Sequence, residues 1–240
     1  MTDCEPDPQA RRLVIRESLS VGIATGLYGV SFGALAVAAG LDVWQAMALS
    51  LLMFTGGSQF AFVGIVAGGV SAAPAAIAAS SLLGVRNMLY ALELTQLLGL
   101  RGPRKLAAAH LTIDESTAVA VSQQDVRASR LGFWVTGAVI FGLWNLTTLA
   151  GAILGNALGD PRRWGLDAAA CAAFTALLWP RLRNRQAGAI AAVAAVVAVV
   201  LAPSQPPGVP VLVAAGAALL AWRAPGPREA REGAAEGSAP

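Results

Sequence analysis

Long apolar stretches separated by short groups of Gly, Pro and charged residues set the pattern of this chain. Uncharged or nearly uncharged segments fall at 19–39, 43–67, 75–100, 106–124, 131–159, 164–180, 186–202 and 209–222. Because about 20 apolar residues cross the hydrocarbon layer as a helix, the pattern predicts an all-α, polytopic integral membrane protein. Two segments are irregular. The 43 residues from Val43 to Val85 hold no Asp, Glu, Lys, Arg or His, yet Thr55-Gly56-Gly57-Ser58-Gln59 interrupts them. Adjacent glycines beside Ser and Gln weaken a helix where backbone groups have no water to bond. Segment 106–124 carries His110, Asp114 and Glu115 and is only weakly apolar. The expectation is 6–8 membrane segments, including one or two broken or re-entrant elements. Residues 1–17 read as a cytoplasmic N-terminal tail, 18–223 as a single transmembrane domain and 224–240, rich in Pro, Gly, Ala, Glu and Arg, as a disordered cytoplasmic tail.

Composition agrees. Hydrophobic residues make up 56%, charged residues 13% and mean hydropathy is +0.61, whereas soluble domains carry roughly 25% charged residues. The net charge of +3 does not point to nucleic acid: almost all the basic residues flank apolar segments, and no basic patch is interleaved with aromatics. Cys4 and Cys171 form no CxxC and no disulfide framework, and no metal set or cofactor motif is present. The run from Leu19 to Ala39, at 21 residues, is longer than a signal-peptide core and reads as a retained first span.

Basic residues also sort the topology. If all eight segments cross from a cytoplasmic N-terminus, 101–105 and 162–163 lie outside, with five basic residues. If 43–67 and 106–124 return to the side they left, Arg162 and Arg163 alone lie outside, against fourteen basic residues inside. The positive-inside rule favours the second arrangement. Both leave the two termini in the cytoplasm.

The candidate chemistry is intramembrane. An Arg within a span costs at least ~2.5–3.5 kcal/mol on insertion scales, so it faces a partner or water. Arg86 stands in such a span beside Asn87, with Tyr90 and Glu93 following at i+4 and i+7, a polar stripe on an apolar helix. Arg86 is either a carboxylate-binding group or half of a structural ion pair. Asp114 and Glu115 are either coupling carboxylates, partners of Arg86 or a solvated acidic pair; Asp167 is either buried or a helix-start residue at the interface. Asn145, with Trp144, Thr147 and Thr148, reads chiefly as a helix–helix hydrogen-bonding cluster. The Gly22, Gly26, Gly29, Gly33 series reads as a close-packing face. The break Gly56-Gly57-Ser58-Gln59 is the candidate binding element, since transporters bind at broken helices near the midplane. Ser58 and His110 also allow an intramembrane serine protease, a weak reading without a third orienting group. A passive channel for a small polar solute is the other alternative.

Several of these residues stand in motifs that resemble one family, the AzlC-type branched-chain amino acid permeases. The motifs are Gly29-Val30-Ser31-Phe32-Gly33-Ala34, Ala39-Gly40-Leu41, Met53-Phe54-Thr55-Gly56-Gly57-Ser58-Gln59-Phe60, Arg86-Asn87-Met88-Leu89-Tyr90, Leu111-Thr112-Ile113-Asp114-Glu115 and Gly165-Leu166-Asp167. The resemblance spans residues 15–200. Gly57-Ser58 departs from the commoner Ser-Ala of the break, Asn87 stands where His is frequent, and Ile113 is inserted before Asp114. The resemblance implies a secondary transporter, not an enzyme, that exports branched-chain or other hydrophobic amino acids. It implies a small AzlD-type membrane subunit as partner and residence in the bacterial plasma membrane. Gly56, Gly57, Ser58, Gln59, Arg86, Asn87 and Tyr90 are then the expected substrate-binding residues. Glu93, Asp114, Glu115 and Asp167 are the coupling or ion-pair candidates.

Overall fold

Where the sequence alternates apolar runs with Gly and Pro, the chain forms helices joined by short turns. The computed structural model describes residues 8–158, 175, 178–179 and 181–216, and no strand occurs among them. Two compact units emerge, Met1–Ala172 and Ala173–Pro240.

The first unit is organised on three long apolar helical runs, each long enough to cross a membrane: Pro8–Ala38, Ala73–Leu98 and Val126–Ala157. The first consists of α1 (Pro8–Leu27) and α2 (Gly29–Ala38), with a turn at Tyr28. It begins at Pro8, well before the apolar stretch, so Arg11, Arg12 and Arg16 lie on the helix itself. The interruption at Tyr28 leaves the Gly26 carbonyl to another partner, and Thr147 Oγ1 donates to it at 2.6 Å. That hydroxyl belongs to α8 (Val126–Leu158), whose start is fixed by Asp125 Oδ2 accepting from the Arg127 and Ala128 amides at 3.1 Å each.

α8 runs alongside α1 and α2 in the same direction: Val14 lies at Gly132, Gly22 at Val139, Gly26 at Leu143 and Gly33 at Thr148. The predicted glycine face is therefore the seam with α8. At Gly33 an added Cβ would fall on the Thr148 carbonyl, and at Gly151 on the Val30 carbonyl. Backbones this close gain dispersion contacts along their length, which is how helices associate in lipid. The seam makes a rigid wall.

Two short broken elements meet against that wall. α3 (Val43–Leu52) starts on a capping box, Asp42 Oδ1 accepting from Gln45 N at 2.8 Å and Gln45 Oε1 from Asp42 N at 2.9 Å. It runs against the direction of α8, with Ser50 Oγ 3.3 Å from Thr148 Oγ1 and the Phe54 ring 5.1 Å from Phe141. After the break, α4 (Gly57–Val66) turns back. Met53 and Phe62 line one cleft of about 620 Å³ together with Gly40, at the end of α2, and Ala73, the start of α5 (Ala73–Leu98). α5 then descends to the other end of α8, where Leu94, Leu98 and Phe133 form one apolar cluster. Gly99, at φ 60°, stops it in the left-handed conformation.

α6 (Pro103–Leu111) rises from that end, with Ala108 in the same cluster, Leu111 at Gly137 and the His110 ring 5.5 Å from Phe141. α7 (Asp114–Ser122) goes back down: Val119 lies at Gly132, and Gln123 Nε2 donates to Glu17 Oε2 at 3.1 Å. Thus α3–α4 and α6–α7 are two hairpins entering from opposite ends of the unit. Their tips touch at Phe54 and His110, ring centroids 6.1 Å apart. Each arm has nine or ten residues, about 15 Å at 1.5 Å per residue, half of a ~30 Å hydrocarbon layer.

In the second unit α9 (Arg185–Leu201) is capped by Asn184, whose side chain accepts from Gln186 N at 2.9 Å. It packs against α10 (Val209–Ala215), which follows Gly208 at φ 89° and carries Pro210 in its first turn. The expected segment 164–180, the Gly165-Leu166-Asp167 motif and the 224–240 tail lie largely or wholly outside the described residues, as do residues 1–7; residues 8–17 of the expected N-terminal tail belong to α1.

Candidate functional site

The break between α3 and α4 is held by two residues. Gly56 adopts φ 60° and ψ −87°, a conformation that an L side chain resists even though the space around it is open. Gln59 is fully buried and staples the break: its Oε1 accepts from Gly56 N at 3.1 Å, and its Nε2 donates to the Leu49 carbonyl at 3.0 Å. The amide of Gln59 is thus engaged in holding the backbone. The amides of Gly57 and Ser58, first in α4, have no carbonyl one turn back to bond. Ser58 Oγ is buried and makes no hydrogen bond among the described residues. A Ser58–His110 dyad is therefore not formed; the imidazole instead packs on Phe54 and Phe141.

The second break uses no glycine. Thr112 and Ile113 are extended, with φ −77° and −130°. Thr112 Oγ1 donates to the Ala108 carbonyl at 2.8 Å, tying off the end of α6. Ser116 Oγ lies 3.1 Å from Ile113 N and accepts from it, and it donates to Leu111 O at 2.6 Å. Asp114 and Glu115 then open α7, where carboxylates suit the positive end of the helix.

α5 carries the residues that answer both breaks. Arg86 Nη2 lies 2.9 Å from Asp114 Oδ2, the two side chains being 26% and 21% exposed. Gly84 faces Ser58, its added Cβ standing 3.9 Å from the hydroxyl oxygen. At 100° per residue, Asn87 projects between these two directions; among the described residues its Oδ1 is buried with no hydrogen bond, and so is Arg86 Nε. Tyr90 is half-buried one turn beyond Arg86. Glu93 falls at the edge of the polar stripe and is exposed, so it is not brought to the breaks. The opposite face of α5 presents Val85, Met88, Leu89 and Leu92, apolar and exposed.

An aromatic cluster backs the tips. Trp144 stacks on Phe32 at 6.0 Å and meets Phe60 edge-on at 6.1 Å, while Tyr28, at the turn in the first run, meets Phe60 at 6.2 Å. Sequence reading did not place Phe54, Phe141 or Asn145 at the site. Phe54 stands within the break motif and Asn145 within the polar cluster of α8, but only the hairpin geometry sets the Phe54 ring 5.1 Å from Phe141, one turn from Asn145. No group of His, Cys, Asp or Glu suited to a metal occurs among the described residues.

Residues 20–158 match the family model described as AzlC protein. The chain belongs to the AzlC family. The match takes in nearly all of the helical framework of the first unit, both breaks and Arg86, and ends with α8. AzlC proteins form a branched-chain amino acid transport family rather than an enzyme family. No curated protein and no solved structure matches the chain.

Proposed function

We propose that this AzlC protein is the transporting subunit of a secondary exporter for branched-chain and other hydrophobic amino acids, with its substrate site where the two hairpins meet. The observation that carries the reading is the convergence of two half-helix N-termini on α5. The first residues of α4 face Gly84, and the first residue of α7 pairs with Arg86. Helix N-termini and a guanidinium in a water-poor interior attract a carboxylate. In this reading the substrate carboxylate binds to Arg86, Ser58 Oγ and the first amides of α4. Asp114 holds Arg86 when the site is empty and releases it as substrate or a proton arrives. Glu115, beside Asp114, is a second coupling candidate; Asp167 is retained as one from the family motif. The apolar side chain has a route along the α3–α4 cleft, past Leu49 and Leu52 towards Gly40 and Gly69. A pocket of this kind separates substrates differing by one methylene by only ~1–3 kcal/mol, so selectivity among hydrophobic amino acids is loose.

We read the hairpins as membrane re-entrant elements, and residues 18–223 as the transport domain. The basic residues of α1, of the 101–105 turn and of the start of α8 all belong to the end where Val14, Leu98 and Phe133 lie. By the positive-inside rule that end is cytoplasmic, in a bacterial plasma membrane, with both termini inside. A small AzlD-type subunit completes the exporter in this scheme.

Replacing Arg86 tests the assignment. Arg86→Ala should lower leucine export from cells by at least about tenfold, and up to about a hundredfold, as expected for a lost charged hydrogen bond, with the protein still present in the membrane. Undiminished leucine efflux from that variant would discard the site. Counterflow in vesicles separates a carrier, which exchanges, from a passive channel, which does not. A Pro103→Cys variant should stay unreactive to an impermeant thiol reagent added outside intact cells; labelling there would reject the re-entrant arrangement.

A further inference from the structure

A carboxylate is half of an amino acid; the ammonium group needs oxygen acceptors, and the binding residues named so far supply mainly donors. We propose that Asn145 receives the substrate ammonium, facing the carbonyl end of α3, an assignment that rests on the transport reading above.

Asn145 is one turn from both Phe141 and Thr148 on the same face of α8. Those two residues meet Phe54 and Ser50 respectively, so Asn145 is set against the last turn of α3 and the break. Its Nδ2 donates to the Phe141 carbonyl at 2.7 Å. That bond decides which way the amide is turned, since only the nitrogen can donate to a carbonyl, and it leaves Oδ1 as the group without a partner. The residue is 9% exposed, and Oδ1 makes no hydrogen bond among the described residues. A role in knitting helices together does not account for this atom, because among the described residues the bond Asn145 makes stays within its own helix. The nearby end of α3 carries the partial negative charge of a helix C-terminus. A buried acceptor beside that end disfavours an anion and suits a cationic donor, as half-helix carbonyl ends do in transporters. The N-terminus of α4 and Arg86 have the opposite sign. Together they present a positive and a negative seat across one break, complementary to a zwitterion.

The experiment compares leucine with the 2-oxo acid of the same side chain, 4-methyl-2-oxopentanoate, which keeps the carboxylate and lacks the ammonium. Binding of each is measured to the full-length protein in vesicles, wild type and variants. Asn145→Leu should weaken leucine about ten- to hundredfold, the worth of a hydrogen bond to a charged group, while leaving the 2-oxo acid unchanged. Asn145→Asp, which keeps an acceptor, should bind leucine at least as well and the 2-oxo acid about tenfold more weakly, because its charge repels an anion with no compensating ammonium. Equal losses for both ligands in Asn145→Leu, or unaltered discrimination in Asn145→Asp, would overturn the assignment while leaving the Arg86 site standing. Failure of wild-type protein to bind leucine would overturn the transport reading itself.

Discussion

The α3–α4 hairpin reverses through Gly56 in a conformation reserved for glycine, and Gln59 bonds both sides of the break. The α6–α7 hairpin reverses through Thr112 and Ile113 in ordinary extended conformations, tied by the hydroxyls of Thr112 and Ser116. The first has no charge at its tip and opens an apolar cleft. The second has no glycine at its tip and carries Asp114 against Arg86. Similar geometry thus arises from different local chemistry, and the difference separates two tasks. In the proposed transport cycle, one hairpin shapes the binding break and the other brings the charge that competes for Arg86.

That division can be broken by experiment, starting with the largest effect. Asp114→Asn removes the competitor but leaves the α3–α4 break intact. Exchange of labelled leucine across vesicles should persist in this variant, whereas accumulation driven by a pH difference should fall to background. Loss of exchange as well would place Asp114 in binding and erase the contrast between the hairpins. Gln59→Leu keeps the volume but leaves the Gly56 amide without its acceptor, and removes one of two donors to the Leu49 carbonyl, which still accepts from Met53 N at 2.9 Å. The expected loss is ~1–3 kcal/mol for the one unsatisfied amide, read as a lower midpoint of thermal unfolding in detergent. A smaller pair of changes sharpens the comparison: Gly56→Ala should cost about 1–2 kcal/mol through its left-handed backbone, and Ser116→Ala about 1 kcal/mol as a lost cap. If the two breaks were chemically alike, Gly56→Ala would be harmless in the same unfolding measurement.

Legibility differed between these regions. The α3–α4 break was visible because Gly-Gly beside Ser and Gln is anomalous inside an uncharged run. The α6–α7 element showed only as a weakly apolar segment with an acidic pair, since extended Thr and Ile leave no sequence mark. The glycine series at 22, 26, 29 and 33 was legible as a packing face, and its partner proved to be α8. The turn at Tyr28 was not, because Leu-Tyr-Gly does not stand out from a continuous helix.

By itself the sequence determined an apolar, helical chain of eight uncharged or nearly uncharged segments, an arginine inside one of them, and a distribution of basic residues that favoured returning segments. Those are properties of composition and spacing, and transfer from water to lipid acts on them residue by residue. The tertiary structure alone decided that the hairpins enter from opposite ends, that their tips meet at Phe54 and His110, and that Asp114 is the carboxylate that Arg86 holds. It also showed Gln59 bonded to both sides of the break. Such pairings depend on helix register across elements far apart in sequence. Close glycine packing against α8 fixes that register, and no local pattern encodes it.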